Sequence, residues 1–232
     1  MQFRHAFLDD SLLQVEGPVV VIDVLRAFST AAYAFAAGVQ DVIVVATVEE
    51  AFALRQQMPE AMIMGEVDGL PVEGFDFDNS PAQFLDQDFS DRHLIQRTSA
   101  GTQGVVLSRN ANPLLTSSFV VAGATARYLQ SIDAEVVTFV ITGYGPEGYG
   151  DEDTACADYL EALLKGEDPE LKPYLQRVRN SLPGKKFLDP EQPEFKLADL
   201  DLCLEVDRFD FVMQVEVKDK RLLMRSNSLH SQ

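Results

Sequence analysis

The sequence predicts an α/β fold: a three-layer α/β/α arrangement around a mostly parallel or mixed sheet, with a C-terminal antiparallel hairpin. Three observations predict it. Residues 18–25 form a nearly continuous β-branched apolar run, which suits a strand covered on both faces of a parallel sheet. Segments of that kind alternate with helical ones as far as Gly166, the pattern of βαβ units. Beyond Gly166 the pattern changes, and residues 209–217 and 221–224 alternate like a hairpin turned by Lys218, Asp219 and Lys220. The 232 residues are read as one domain, elaborated from about Gly166 by a segment expected to cover one edge of the sheet.

Composition narrows the function classes. With 46% hydrophobic and 24% charged residues the chain has the make-up of a globular protein. Thirty-seven acidic residues against nineteen basic give −18, a field that repels nucleic acid and anionic membranes. Neither is an expected partner. Cys156 and Cys203 lack a C-x-x-C spacing, so no disulfide framework or thiolate zinc site is predicted. With no signal-peptide pattern and no apolar run of about 18 residues, a soluble cytoplasmic protein is expected.

In order along the chain, residues 2–8 read as an edge strand and 18–25 as a buried one. Asp23 interrupts the second near its carboxyl end, where open α/β sheets place their ligands. A carboxylate there is costly unless paired or metal-bound, although capping the next helix is an alternative role. Residues 26–38 form an alanine-rich helix closed by Gly38, and 41–46 a strand. Thr47 and Glu50 make a capping box for a helix to about Met58, and 61–64 a third strand. Ser80 and Gln83 make a second box with Pro81 at the first helical position. Residues 92–97, 119–122 and 135–142 are further strands; helices follow near 103–109, after Gly123, and over 151–166 and 167–181, with loop at 183–193 and a frayed tail from Ser226.

Three loops carry the chemistry. Between Gly65 and Pro81 the apolar period stops, and Glu66, Asp68, Glu73, Asp76 and Asp78 lie on a path fixed by glycines and prolines. Clustered carboxylates favour a hard cation such as Mg²⁺; a solvated acidic surface loop is the alternative. Asn79 either caps locally or points into the site. Residues 98–104, a small hydroxyl-rich turn between strand and helix, are a candidate anion site containing Thr98, Ser99, Gly101 and Thr102. It is not a Walker A loop, and an ordinary turn is the other reading. Arg26 and Arg97 stand beside these strand ends, each with a bidentate fork for phosphate. Finally Gly143, Gly145, Gly148 and Gly150 precede Asp151, Glu152 and Asp153. Acidic residues suit a first helical turn; alternatively Glu152 or Asp153 contacts a metal or substrate across a cleft from Glu66. His5, His93 and His230 lie outside all these motifs and receive no acid–base role.

Residues 21–27 (Val-Ile-Asp-Val-Leu-Arg-Ala), Gly65 with Glu66, Gly74 with Asp76, Asn79 with Ser80 and Pro81, the turn 98–102, and Glu152 with Asp153 occur in an order that resembles the 2-phosphosulfolactate phosphatase family. The resemblance spans roughly residues 19–164. It implies Mg²⁺-dependent hydrolysis of (R)-2-phospho-3-sulfolactate to sulfolactate and phosphate, on the route to coenzyme M. Metal ligands are then expected among Asp23, Glu66, Asp76 and Asp153, activating or orienting a water. Arg26, Arg97 and the amides of 99–104 would offset charge on the transferring group. Asn79, Thr98, Ser99, Gly101 and Thr102 are the expected substrate contacts, with Arg127 the nearest cation for a second acid group. Asp23 as nucleophile is the other route, disfavoured because the D-x-D of haloacid dehalogenase-type phosphatases is absent. Ala100, Asp78 and Phe28 depart from the family pattern and bear on which phosphorylated hydroxy acid fits. A non-catalytic binding protein for a small phosphorylated acid and a Mg²⁺-dependent phosphotransferase are the rival functions. Apolar residues of the hairpin with no assigned cover suggest a homodimer.

Overall fold

The computed structural model describes residues 1–143 and 149–228; Gly145, Gly148, His230 and the end of the tail lie outside them. Strands β1 (Gln2–Phe7), β2 (Val19–Ile22) and β3 (Asp41–Val44) alternate with helices α1 (Ala27–Ala36) and α2 (Val48–Gln57) before β4 (Met62–Gly65). After the acidic loop come β5 (His93–Arg97), α3 (Gly101–Leu107), β6 (Leu114–Ser117), α4 (Ala122–Ser131), β7 (Val136–Ile141) and α5 (Asp151–Leu164). The remainder is α6 (Leu171–Asn180), α7 (Leu182–Lys186), α8 (Leu197–Cys203) and the hairpin β8 (Phe211–Lys218) and β9 (Arg221–Ser228).

Side chains on a strand alternate between its faces, and the cores follow that alternation. Val19 and Val21 of β2 and Val42 and Val44 of β3 face α1 and α3. Val20 and Ile22 face α4 and α5, and Ile43 and Ile95 face α2. Helices therefore cover both faces of one nine-stranded sheet, in the expected fold class. The Thr47 capping box also forms, Glu50 N–H donating to Thr47 Oγ1 at 3.1 Å. Among the described residues no helix is long and apolar enough to cross a membrane.

The hairpin is not at an edge. The strand order is β1-β7-β2-β6-β8-β9-β3-β5-β4, so β8 and β9 join two parallel blocks at the sheet's centre. Its Asp219 and Lys220 both have positive φ, as the two-residue turn that matches strand twist requires. Val212, Met213, Val215 and Met224 of the hairpin are buried within the chain, whereas Val217 is exposed. The three contacts β6·β8, β8·β9 and β9·β3 are all antiparallel, which makes the two parallel blocks run in opposite directions. In a flat sheet their carboxyl ends would lie on opposite edges. Twist of about 20–25° per strand rotates them toward one another, and α1 packs against β6 and β9 with Ala27 to Phe35 all buried. Gln96 Nε2 of β5 donates to Ala27 O at 3.0 Å; the two ends meet at the start of α1.

Three local expectations are corrected. The strand expected at 119–122 is β6, five residues earlier; Phe119–Val121 is a 3-10 turn leading into α4. Short apolar runs do not by themselves distinguish strand from buried helix. Ser80 does not cap: Pro81–Phe84 is a 3-10 turn, and Ser80 Oγ donates instead to Asp199 Oδ1 at 2.6 Å. Ser226 to Ser228 belong to β9 rather than to a frayed tail.

Candidate active site

Where the blocks meet, a cleft of about 340 Å³ opens, bordered by Asp23, Arg26, Glu66, Asn79, Ser99, Glu152, Asp153 and Lys186. That size suits a small metabolite. Asp23 leaves β2 at its carboxyl end and is 6% exposed. Ala27 N–H donates to its Oδ1 at 3.0 Å, and a Cβ on Gly101 would fall 2.6 Å from its Oδ2. Glycine is therefore needed at 101 for the α3 backbone to approach the carboxylate. Asp153, in the first turn of α5, accepts from Val24 N–H at 2.8 Å, Gly143 N–H at 2.9 Å and Thr142 Oγ1 at 3.0 Å. It thereby ties α5 to the ends of β2 and β7. Glu152 beside it is 3% exposed, and its Oε2 has no partner.

These three carboxyls share a site poor in water. Burial first, and then the neighbouring Asp153 charge, pushes Asp23 well above the usual carboxylate range. Burial and Asp23 raise Glu152 to about 7, and burial and Glu152 raise Asp153 to about 8. Like charges this close exchange protons as a set.

The turn after β5 is engaged with the chain's own groups. Ser99 N–H donates to Glu66 Oε1 at 2.6 Å, and Gly69 N–H donates to Glu66 Oε2 at 2.5 Å. Gly101 N–H serves Asp23. Thr98 and Thr102 are fully buried and exchange backbone-to-hydroxyl hydrogen bonds at 2.9 and 3.0 Å. Two of the amides expected to hold phosphate, those of Ser99 and Gly101, thus hold the chain's own carboxylates, which fixes where Glu66 and Asp23 point.

Three other expected groups lie outside the cleft. Arg97 Nη1 donates to Glu66 O at 2.7 Å and Ser99 Oγ at 3.2 Å, so it braces the loop rather than reaching into the cleft. Asp76 accepts from Ile63 N–H at 2.7 Å and pairs with Arg55, away from Asp23. Arg127 is exposed and pairs with Asp210. His93 pairs with Asp41 at 2.7 Å, and His5 lies 3.6 Å from Glu161, both also outside.

The C-terminal segment contributes what sequence reading missed. Arg26 is 4% exposed, pairs with Asp199 Oδ2 at 2.9 Å, and lies against the Phe187 and Phe195 rings. Asp199 is fully buried and also accepts from Ser80 Oγ and Ala82 N–H. A signal existed: Asp199 precedes buried Cys203 by four residues, which puts both on one face of α8.

Among the described residues, the carboxylates and the Asn79 amide bordering the cleft offer oxygen, the kind of donor a hard cation takes. Asp23 and Glu66 keep acceptor capacity beyond their backbone donors, and Glu152 Oε2 and Asn79 Oδ1 are buried without partners. Among the described residues no three His, Cys, Asp or Glu side chains converge closely enough to enclose a metal. The arrangement fits an ion such as Mg²⁺, which is held by one or two carboxylates and completed by waters and substrate oxygens.

Comparison with known proteins agrees with this frame. The family model described as 2-phosphosulpholactate phosphatase matches residues 8–218, from the end of β1 through β8, the first strand of the hairpin. A Bacillus subtilis (strain 168) protein named "Probable 2-phosphosulfolactate phosphatase" is 35% identical over 198 residues, covering 85% of this chain and 86% of its own. One of the same name from Carboxydothermus hydrogenoformans is 31% identical over 244 residues, covering 99% of each. A third, from Gloeobacter violaceus, is 38% identical over 149 residues, covering 63% of each. The matched span carries Asp23, Glu66, Ser99, Glu152 and Asp153 together with the Arg26–Asp199 pair that closes the cleft, and the chain belongs to the 2-phosphosulpholactate phosphatase family.

Proposed function

We propose that the cleft hydrolyses 2-phosphosulfolactate, or a closely related 2-phospho-hydroxy acid, to the hydroxy acid and inorganic phosphate with Mg²⁺ as cofactor. The observation that carries this reading is the buried carboxylate set of Asp23, Glu152 and Asp153, bordered by cations, inside the family-matched span. Bound by Asp23 and Glu66 or Asp153, Mg²⁺ would polarise the phosphoryl oxygens and offset their charge.

The chain's own groups do the rest. Arg26, desolvated and held by Asp199, presents positive charge to the ester at a fixed position. Asn79, 3% exposed, has an amide to orient a phosphoryl or leaving-group oxygen. Glu152, with an unpartnered Oε2 and a carboxyl raised to about 7, takes the proton of the attacking water. That proton then leaves with the alkoxide of the hydroxy acid, so the products are the free hydroxyl and phosphate.

The test is phosphate release from 2-phosphosulfolactate by the purified protein with and without Mg²⁺, beside the Asp23→Asn variant. Release that requires Mg²⁺ and is lost in a folded Asp23→Asn supports the reading. No release above background from 2-phosphosulfolactate or 2-phospholactate with Mg²⁺ or Mn²⁺ overturns it.

A further inference from the structure

Among the described residues, two cations border the cleft, and they are in different electrostatic states. Arg26 is matched by the fully buried Asp199 carboxylate. Among the described residues no carboxylate lies within ion-pair reach of Lys186. Its ammonium instead lies 5.2 Å from the Phe195 ring and 5.8 Å from the Tyr149 ring. Aromatic faces hold a cation in place without cancelling its charge. Facing Asp23, Glu66, Asp68, Glu152 and Asp153 on the same cleft, Lys186 keeps a positive charge that none of the described carboxylates offsets at contact range, and that charge is available to an anionic group of an incoming ligand.

The frame around Lys186 is stiff. Ser181 Oγ accepts from Gly184 N–H at 3.0 Å, and a Cβ on Gly184 would fall 2.0 Å from Val178 O, so α7 sits tight against α6. Phe195 in turn lies over Gly69, where a Cβ would meet its ring at 2.8 Å. Lys186 therefore stands on a wall fixed both to α6 and to the loop that carries Glu66. The reacting phosphoryl group is served by carboxylates and Arg26 on other segments. We propose that Lys186 reads a second anionic group of the substrate, a carboxylate or sulfonate carried beside the phosphate ester, and so sets specificity for acidic esters. This rests on the phosphatase reading and replaces Arg127, which is exposed and engaged with Asp210, in that role.

The test compares wild type, Lys186→Met and Lys186→Arg on three esters with Mg²⁺: 2-phosphosulfolactate, 2-phospholactate, which lacks the sulfonate, and isopropyl phosphate, which lacks both acids. Loss of one charge-assisted contact is expected to raise KM by about tenfold or more. That rise should occur for Lys186→Met on the ester bearing the acid that Lys186 contacts, with kcat within about twofold, with no change on isopropyl phosphate and with recovery in Lys186→Arg. A second arm measures calorimetric binding of sulfolactate, which has no phosphate. About tenfold weaker binding to Lys186→Met supports the proposal even if no ester is hydrolysed, so failure of the phosphatase reading is told apart from failure of this one. Unchanged sulfolactate binding, or an equal KM change on all three esters, overturns it.

Discussion

Arg26 Nη1 lies 2.9 Å from Asp199 Oδ2, with both side chains closed to solvent and the two residues 173 positions apart in sequence. The same aspartate holds Ser80 and Ala82 of the acidic loop. One carboxylate therefore fixes the buried cation at the start of α1 and the strand-to-turn path that presents Asn79. A buried pair of this kind contributes little net stability while intact, but breaking it is costly.

Asp199→Ala is expected to leave Arg26 charged and uncompensated and to destabilise the protein by about 3–5 kcal/mol. Asp199→Asn keeps the shape and an acceptor for Ser80, and should lose less. Urea unfolding of both variants measures this. Equal midpoints for wild type and Asp199→Ala would mean that Arg26 finds another partner or leaves the interior.

The carboxylate cluster sets a pH dependence whose sign follows from the direction of its shifts. Glu152 and Asp153 are raised from 4.5 and 3.8 to about 7 and about 8, so the folded chain keeps protons that the unfolded chain releases. Their contribution is full below the unfolded values and is lost as pH rises through about 7 to 8. Without divalent cations, the melting temperature should fall between about pH 5 and about pH 8, and Glu152→Gln should raise it at the alkaline end. A Glu152→Gln protein less stable than wild type at about pH 8 would contradict the crowding of charge around Asp23.

Much of the first block was legible because its residues carry their own explanation. An aspartate ending a valine and isoleucine strand stands out from its neighbours; Asp23 borders the cleft and also accepts from Ala27 N–H at the start of α1. The hairpin was legible as a hairpin through its alternation, but its place in the sheet was not. Strand order depends on which edges remain unpaired after α1 and α4 pack, and no local period records that. Arg97 and Asp76 misled in the same way: each has the right charge beside the right loop, yet each is turned toward a backbone partner, Glu66 O and Ile63 N–H. Lys186 went unnoticed because it sits in a short helix where no motif singles it out, and Asp199 because its only local signal is the spacing to Cys203.

Glycine at 101 and at 104 should separate site from scaffold. A Cβ at 101 meets Asp23 Oδ2 at 2.6 Å and Ala27 Cβ at 2.7 Å, whereas at 104 it meets Val21 Cγ1 at 2.6 Å and Thr142 Cγ2 at 3.2 Å. Gly101→Ala displaces the carboxylate, and misplacement on the order of 1 Å costs about 10² in rate. Gly104→Ala crowds the core and should lower the melting temperature with a smaller effect on kcat. Phosphate-release kinetics beside thermal melts check the pair; matching kcat losses would show that Asp23 tolerates the displacement.

Arg97 gives the sharpest contrast between charge and position. Its guanidinium spans Glu66 O, Ser99 Oγ and, at 3.4 Å, Ala46 O, and the loop it braces points the Glu66 carboxylate at two backbone amides. Arg97→Lys keeps the charge but has no planar fork to reach three acceptors. It is therefore expected to lower kcat by about tenfold with KM within about twofold, and to raise the Mg²⁺ concentration needed for half-maximal rate, because Glu66 loses its fixed aim. Asp76→Asn is the control: its partners are Ile63 N–H and Arg55, so it should lower stability and leave the Mg²⁺ requirement unchanged. Titrating Mg²⁺ against phosphate release in both variants decides between positions. A shifted Mg²⁺ requirement in Asp76→Asn with none in Arg97→Lys would return Asp76 to the metal set and reduce Arg97 to a loop brace without consequence for the ion.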